Sequence, residues 1–233
     1  MKTIGLLGGM SWESTVSYYR LINEGIKAKL GGLHSGKIIL NSVDFAQIEQ
    51  LQHAGDWQAT AVILSQAAQS VQAGGADMLL ICTNTMHKVA EEIELAINIP
   101  LLHIADATAD RLLADGIDCV GLLGTRFTME QAFYRERLQA RGIKVLVPDE
   151  AGRTLVHNII YQELCLGQVK AASRCAYVDI VAKLAAAGAQ GVILGCTEIG
   201  LLLTQADTQV PLYDTTAIHA AAAVERALDG LLS

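Results

Sequence analysis

Gly75-Ala-Asp-Met-Leu-Leu-Ile-Cys82-Thr-Asn and Gly188-Ala-Gln-Gly-Val-Ile-Leu-Gly-Cys196-Thr-Glu are two versions of one stretch. In each, Gly-Ala leads into a short unbroken apolar run that ends on Cys-Thr. A continuous apolar run of this length, without polar alternation, is the pattern of a parallel strand covered on both faces. Two more motifs repeat in the same order. Ile4-Gly-Leu-Leu-Gly-Gly9 recurs as Val120-Gly-Leu-Leu-Gly-Thr125, and Ile99-Pro-Leu-Leu recurs as Val210-Pro-Leu-Tyr. The offsets are 116 for the glycines (Gly5 to Gly121), 114 for the cysteines and 111 for the prolines. Three motifs at nearly constant offset define a duplication.

Working outward, strands are expected at residues 3–7, 37–41, 78–81 and 101–103 in the first copy. The second copy should hold strands at 120–123, 144–147, 192–194 and 211–213. Amphipathic helical stretches at 14–30, 57–73, 128–140, 172–187 and 215–232 lie between or after them. Strands alternating with helices indicate βαβ units and parallel sheets. The expected fold is α/β, with two pseudo-symmetric halves, each a four-stranded, mostly parallel sheet flanked by helices. The first half comprises residues 1–104 plus the C-terminal helix 215–233, the second residues 105–214. In such sheets ligands lie beyond the carboxyl ends of the strands, so an active site is expected in a cleft between the halves.

Composition narrows the function classes. Of 233 residues, 52% are hydrophobic and 18% charged, with 3 prolines, which suits a large core and argues against disorder. The net charge of -7 carries no basic footprint for nucleic acid or an anionic membrane. No apolar run approaches the ~20 residues of a membrane span, and the first one, Ile4 to Leu7, is too short for a secretory signal. A reducing cytoplasm is the expected setting. Five cysteines, an odd number without a framework, then suit chemistry or packing better than disulfides.

Cys82 and Cys196 stand apart because both copies keep Cys-Thr at a strand end. Cys119, Cys165 and Cys175 have no repeated counterpart and read as packing residues. Two opposed thiols suit removal of a proton from one face of a tetrahedral carbon and delivery to the other. The thiolate is the base, free cysteine titrates near pH ~8.5, and a following helix N-terminus would favour the charged form. Donors for an α-carboxylate are at hand in Thr83, Asn84, Thr85, Thr125, Thr128 and Thr197, although the same residue types are ordinary helix caps. Glu198 could meet a substrate ammonium or cap the helix after it.

Other signals are weaker. The glycines at 5, 8 and 9 do not match the G-x-G-x-x-G dinucleotide fingerprint, and close backbone approach to a small ligand explains them better. His87 could orient substrate or stabilise the nearby thiolate, or be structural. His103 and His219 read as structural, and Asp44 as a turn residue that could shape the cleft. No H-E-x-x-H or C-x-x-C spacing is present, so no metal is expected.

The segments LLICTNTMH (79–87), ILGCTEIG (193–200) and KTIGLLGGMSWEST (2–15) closely resemble the aspartate/glutamate racemase family, nearly end to end. The resemblance implies a cofactor-independent enzyme with two cysteines as opposed acid and base. On the matching positions these are Cys82 and Cys196. Met10, Thr83, Asn84, Thr85, Thr125, Thr128 and Thr197 would surround the substrate's α-carboxylate and amino group. It also implies a homodimer. One departure matters. Aspartate-specific relatives hold the side-chain carboxylate with an Arg and a Lys, whereas the corresponding stretches here, 41–48 and 161–167, contain neither. The GGMSWEST start is more similar to the broad-specificity amino-acid racemase branch, which handles homoserine and other non-acidic side chains.

The expected activity is therefore inversion at Cα of an amino acid by two-base proton transfer, on a broad or non-acidic substrate or on aspartate or glutamate. The alternatives are another reaction of the superfamily (decarboxylase, hydantoin racemase or cis-trans isomerase) and a non-catalytic amino-acid-binding module.

Overall fold

The computed structural model describes residues 1–231. Its contacts divide the chain into two units, Met1–Ile104 joined by the segment from His219 onward, and Ala105–Ile218. The expected terminal helix to residue 232 and the expected end of the first half at 233 reach past the described residues.

The first unit contains β1 (Ile4–Gly8), α1 (Trp12–Leu30), β2 (Ile38–Ser42), α2 (Phe45–Ala54), α3 (Trp57–Ala73), β3 (Met78–Ile81) and α4 (Ala90–Ala96). Its sheet is parallel, in the order β2-β1-β3, with Ile4 opposite both Ile38 and Met78. Apolar runs in β1 and β3 follow from cover on both faces. Leu7, Leu79 and Ile81 pack with Leu64, Ala68 and Val71 of α3. Ile4, Leu6, Met78, Leu80 and Cys82 pack on the other face with Tyr18, Ile22 and Ile26 of α1 and with Ala220, Ala223 and Val224 near the C-terminus. Each fully buried aliphatic side chain contributes about 1.5–3 kcal/mol relative to exposure. Alternation along β3 thus assigns Cys82 to the α1 face.

The strand expected at 101–103 does not form, and this sheet has three strands. Only Leu101 bridges to Leu79. The Leu79 N–H donates to the Pro100 carbonyl and the Leu102 N–H to the Leu79 carbonyl, both at 2.9 Å. At the other end, the Ile104 N–H is taken by the His87 ring at 3.2 Å, and the chain turns into a helix.

That helix is α5 (Ile104–Ala114), followed by β4 (Cys119–Gly124), α6 (Arg126–Glu130), α7 (Ala132–Gln139), β5 (Lys144–Leu146), α8 (Glu150–Gln162), α9 (Ala171–Ala186), β6 (Gly191–Gly195), α10 (Ile199–Leu202), β7 (Leu212–Asp214) and α11 (Thr215–Leu228). The sheet of the second unit is parallel, in the order β5-β4-β6-β7. The helix expected over 128–140 is two helices, because Gln131 is extended at φ -83° and ψ 154°. Val192 and Leu194 of β6 pack against Val156, Ile159 and Ile160 of α8 and Tyr177, Ile180 and Val181 of α9, and Cys196 continues that side. Among the described residues no helix is long and apolar enough to cross a membrane.

Candidate active site

Cys82 leaves β3 pinned on both sides. Its N–H donates to the Leu7 carbonyl of β1 at 2.9 Å. Its carbonyl accepts from the Ser14 hydroxyl of α1 at 2.8 Å. The next carbonyl, that of Thr83, accepts from the His87 ring at 2.8 Å. Asn84, Thr85 and His87 are buried and Thr83 is half-buried, as the chain winds into a 3-10 turn at Thr85–Val89. Cys82 itself is fully buried, and desolvation pushes its thiol well above the usual range.

Cys196 stands just past β6, partly buried against the core beneath α8 and α9. Its Sγ–H donates to Glu198 Oε2 at 2.9 Å, and the Thr197 hydroxyl donates to the same oxygen at 2.6 Å. Desolvation raises the Cys196 thiol strongly, and the Glu198 charge and hydrogen bond, then the nearby Cys165, raise it further. Glu198 makes no side-chain cap to α10; its carboxylate faces the thiol and hydroxyl instead.

Burial thus pushes both thiols toward the protonated form, opposite in direction to the expected pull of a helix terminus on the thiolate. The turn after Cys82 is a five-residue 3-10 helix and α10 has four residues. So few aligned peptides sum to a weak macrodipole, and burial outweighs it.

The remaining expected residues are distributed as follows. Thr125 caps α6, its Oγ1 accepting from the Thr128 N–H at 3.4 Å and lying 3.3 Å from the Thr128 hydroxyl, so the capping role is the one observed. Both threonines are buried. Met10 lies in the core with Leu7 and Ile48. Asp44 caps α2, accepting from the Ala46 N–H at 3.1 Å. The glycines meet this chain's own atoms. A Cβ on Gly5 would stand 2.4 Å from Val71 Cγ1, and one on Gly8 2.5 Å from Thr15 Cγ2. His103 and His219 pack with His87, at centroid distances of 4.5 and 5.9 Å from its ring. Among the described residues no group of His, Cys, Asp or Glu is placed to hold a metal ion.

Sequence reading missed Ser14 and Thr15. Ser14 grips the Cys82 carbonyl, and Thr15 Oγ1 accepts from the Gly9 N–H at 2.8 Å while donating to the Ser11 carbonyl at 3.0 Å. The available signal was the run Ser-Trp-Glu-Ser-Thr (11–15), polar residues clustered at a helix start, which reads equally as capping.

An α/β chain of two parallel-sheet units, each ending a strand of its sheet in Cys-Thr, has the framework of an amino-acid racemase family. The profile of the Asp/Glu/hydantoin racemase family matches residues 7–223, and the chain belongs to that family. It is similar to a Yersinia pestis protein assigned as an Asp/Glu racemase, with 60% identity over 98% of this chain and 100% of that one, at a TM-score of 0.93. An aspartate racemase homologue from Pyrococcus horikoshii is 33% identical over 97% of this chain and 99% of that one, at a TM-score of 0.86. The broad specificity amino-acid racemase RacX of Bacillus subtilis is 26% identical over 159 residues, 67% of each chain.

Proposed function

We propose that this chain is a cofactor-independent amino-acid racemase in which Cys82 and Cys196 are the two acid/base groups. The observation that carries the reading is the repeated Cys-Thr, once at the end of β3 and once at the end of β6, with Cys82 buried and Cys196 partly buried. Racemisation needs one group to take the α-proton and another to supply one to the opposite face. A substrate hand presented to Cys196 begins with transfer of the Sγ proton to Glu198, which already accepts a hydrogen bond from it. The thiolate then takes the α-proton and the Cys82 thiol gives its proton to Cα. Afterwards Glu198 releases its proton to water and the Cys82 thiolate takes one from water, which restores the resting state. The opposite hand starts with Cys82 losing its proton to water and ends with the Cys196 thiol giving its proton to Cα, and no redox change occurs in either direction.

Carbanion formation at Cα is opposed by its low acidity, each unit of mismatch costing about 1.4 kcal/mol. Hydroxyl and backbone donors at the α-carboxylate offset this as an oxyanion site does, and Thr83, Asn84, Thr85, Thr125, Thr128 and Thr197 are the candidates. Met10 would contribute through its backbone, since its side chain is core. The absence of Arg and Lys from 41–48 and 161–167 favours a broad or non-acidic substrate such as homoserine. We assign the work to a cytoplasmic homodimer. Trp12, Val16 and Tyr19, exposed at one-face spacing on α1, support a second copy as partner. Sedimentation should give a mass near twice 24.8 kDa, and a monomer would remove that assignment.

The test of the activity is incubation with each proteinogenic amino acid and homoserine in D₂O without added cofactor, read by chiral chromatography and mass spectrometry. The product enantiomer should carry one solvent deuterium at Cα. Release of CO₂, or bound amino acid with no exchange, would overturn the assignment.

Glu198→Gln tests the Cys196 environment separately. It removes a charge that disfavours the thiolate, so Cys196 should become alkylatable at lower pH, by about one unit or more. Peptide-mapped iodoacetamide labelling across pH reads the shift; an unchanged or higher midpoint would contradict the role of Glu198.

A further inference from the structure

His87 is a buried polar group that the acid/base chemistry does not use, and its two ring nitrogens have different, determined duties. The Ile104 N–H can only donate, so Nε2, at 3.2 Å from it, carries no proton. Nδ1 therefore carries one and donates to the Thr83 carbonyl at 2.8 Å. Burial, with His103 and His219 close by, holds the ring well below the ordinary histidine pKa, so it stays neutral. A neutral ring whose nitrogens are both engaged supplies no positive charge to a thiolate.

The second histidine duty shows what the strut is tied to. The His219 Nε2–H donates to the Leu102 carbonyl at 2.7 Å, and its Nδ1 accepts from the Tyr18 hydroxyl at 2.8 Å. Leu102 and Ile104, on either side of His103, are thus both anchored by imidazoles. His87 links this anchored segment to the Thr83–Asn84 peptide, one unit beyond the peptide that leaves Cys82. With the bonds from Cys82 to Leu7 and Ser14, the Cys82 N–H, the Cys82 carbonyl and the Thr83 carbonyl are all held. A peptide unit is planar, so fixing the Thr83 carbonyl fixes the plane that leads to Asn84.

We propose that His87 is a positioning residue for the reaction, a neutral two-ended strut whose Nδ1–H sets the Thr83–Asn84 peptide, the second one after Cys82, while its Nε2 anchors the start of α5. This rests on the reading of Cys82 as an acid/base group. Reaction rates are sensitive to placement at this level, and a misplacement near 1 Å can cost about 100-fold.

Two amides separate the two ends. Asn places an N–H near Nδ1 and keeps the bond to Thr83 but cannot reach Ile104. Gln places its oxygen near Nε2, keeps the bond to Ile104 and loses the one to Thr83. His87→Gln should lower kcat about 10–100-fold with KM changed less than about threefold. His87→Asn should keep kcat within about fivefold of wild type even where it melts at lower temperature. Equal kcat in the two variants, or kcat that follows melting temperature alone, would overturn the proposal. In the unmutated protein, ¹⁵N NMR should show the neutral Nδ1–H tautomer between about pH 6 and 8. An imidazolium or an Nε2–H tautomer there would equally overturn it. Cys82→Ser keeps the two readings apart. Wild-type turnover in that variant removes the acid/base reading, whereas an inactive Cys82→Ser beside a fully active His87→Gln removes only the strut.

Discussion

Cys82→Ser and Cys196→Ser should each lower racemisation about 1,000-fold or more, because a positioned acid or base contributes about 10²–10⁴-fold and serine cannot ionise in its place. Either loss stops inversion in both directions, since each direction uses one group as base and the other as acid. The effect on folding should be smaller. Cys82 is fully buried against Tyr18 and Leu80, and placing a hydroxyl there costs on the order of 1–3 kcal/mol. Chiral assay of both variants, with melting curves to confirm folding, reads the outcome. Wild-type turnover in either folded variant contradicts the two-base mechanism.

Gly9→Ala should be the most damaging single-methyl change in the first unit. Gly9 has φ +92°, and a Cβ there would stand 2.2 Å from the Val43 carbonyl oxygen and 2.7 Å from the Val43 nitrogen. Both obstacles are backbone, and the Val43 N–H is itself bonded to the Gly8 carbonyl at 3.0 Å. Neither can retreat without breaking the join between β1 and the chain leaving β2. Gly55→Ala is the control, at φ +72° with nothing within 4 Å of the added Cβ. The left-handed conformation alone costs about 1–2 kcal/mol, so Gly55→Ala should lose that much. Gly9→Ala should lose more than about 3 kcal/mol, the range reached by strain and overpacking together. Urea unfolding of the two variants measures the difference, and equal losses would show that the Val43 contact carries no weight.

How much of this was legible depended on the range of the interactions. Strands β1, β3, β4 and β6 read correctly because they are covered on both faces, which demands unbroken apolar runs such as Met78–Ile81. The helix over residues 57–73 matched α3 residue for residue, with Asp56 capping it at 3.0 Å. By contrast α2, α5 and α8 were not expected, their sequences mixing polar residues into short apolar spacing. The strand at 101–103 failed for a non-local reason. Nothing in Pro-Leu-Leu-His announces that His87, seventeen positions earlier in the chain, will take the Ile104 N–H. In the second copy the chain after Val-Pro pairs Leu212, Tyr213 and Asp214 with β6 and forms β7.

The sequence by itself determined the duplication, the parallel α/β class, the family and the pair Cys82 and Cys196. Those follow from local apolar pattern and from repetition, and both are written along the chain. The tertiary structure decided the state of the site. Burial, which sums contributions from distant helices, pushes both thiols toward the protonated form against the pull of short helical turns. Folding also brought Ser14 to the Cys82 carbonyl across 68 positions and turned Glu198 toward Cys196 instead of the helix it precedes. Desolvation and long-range hydrogen bonds depend on which surfaces meet, and that is settled only when the chain packs.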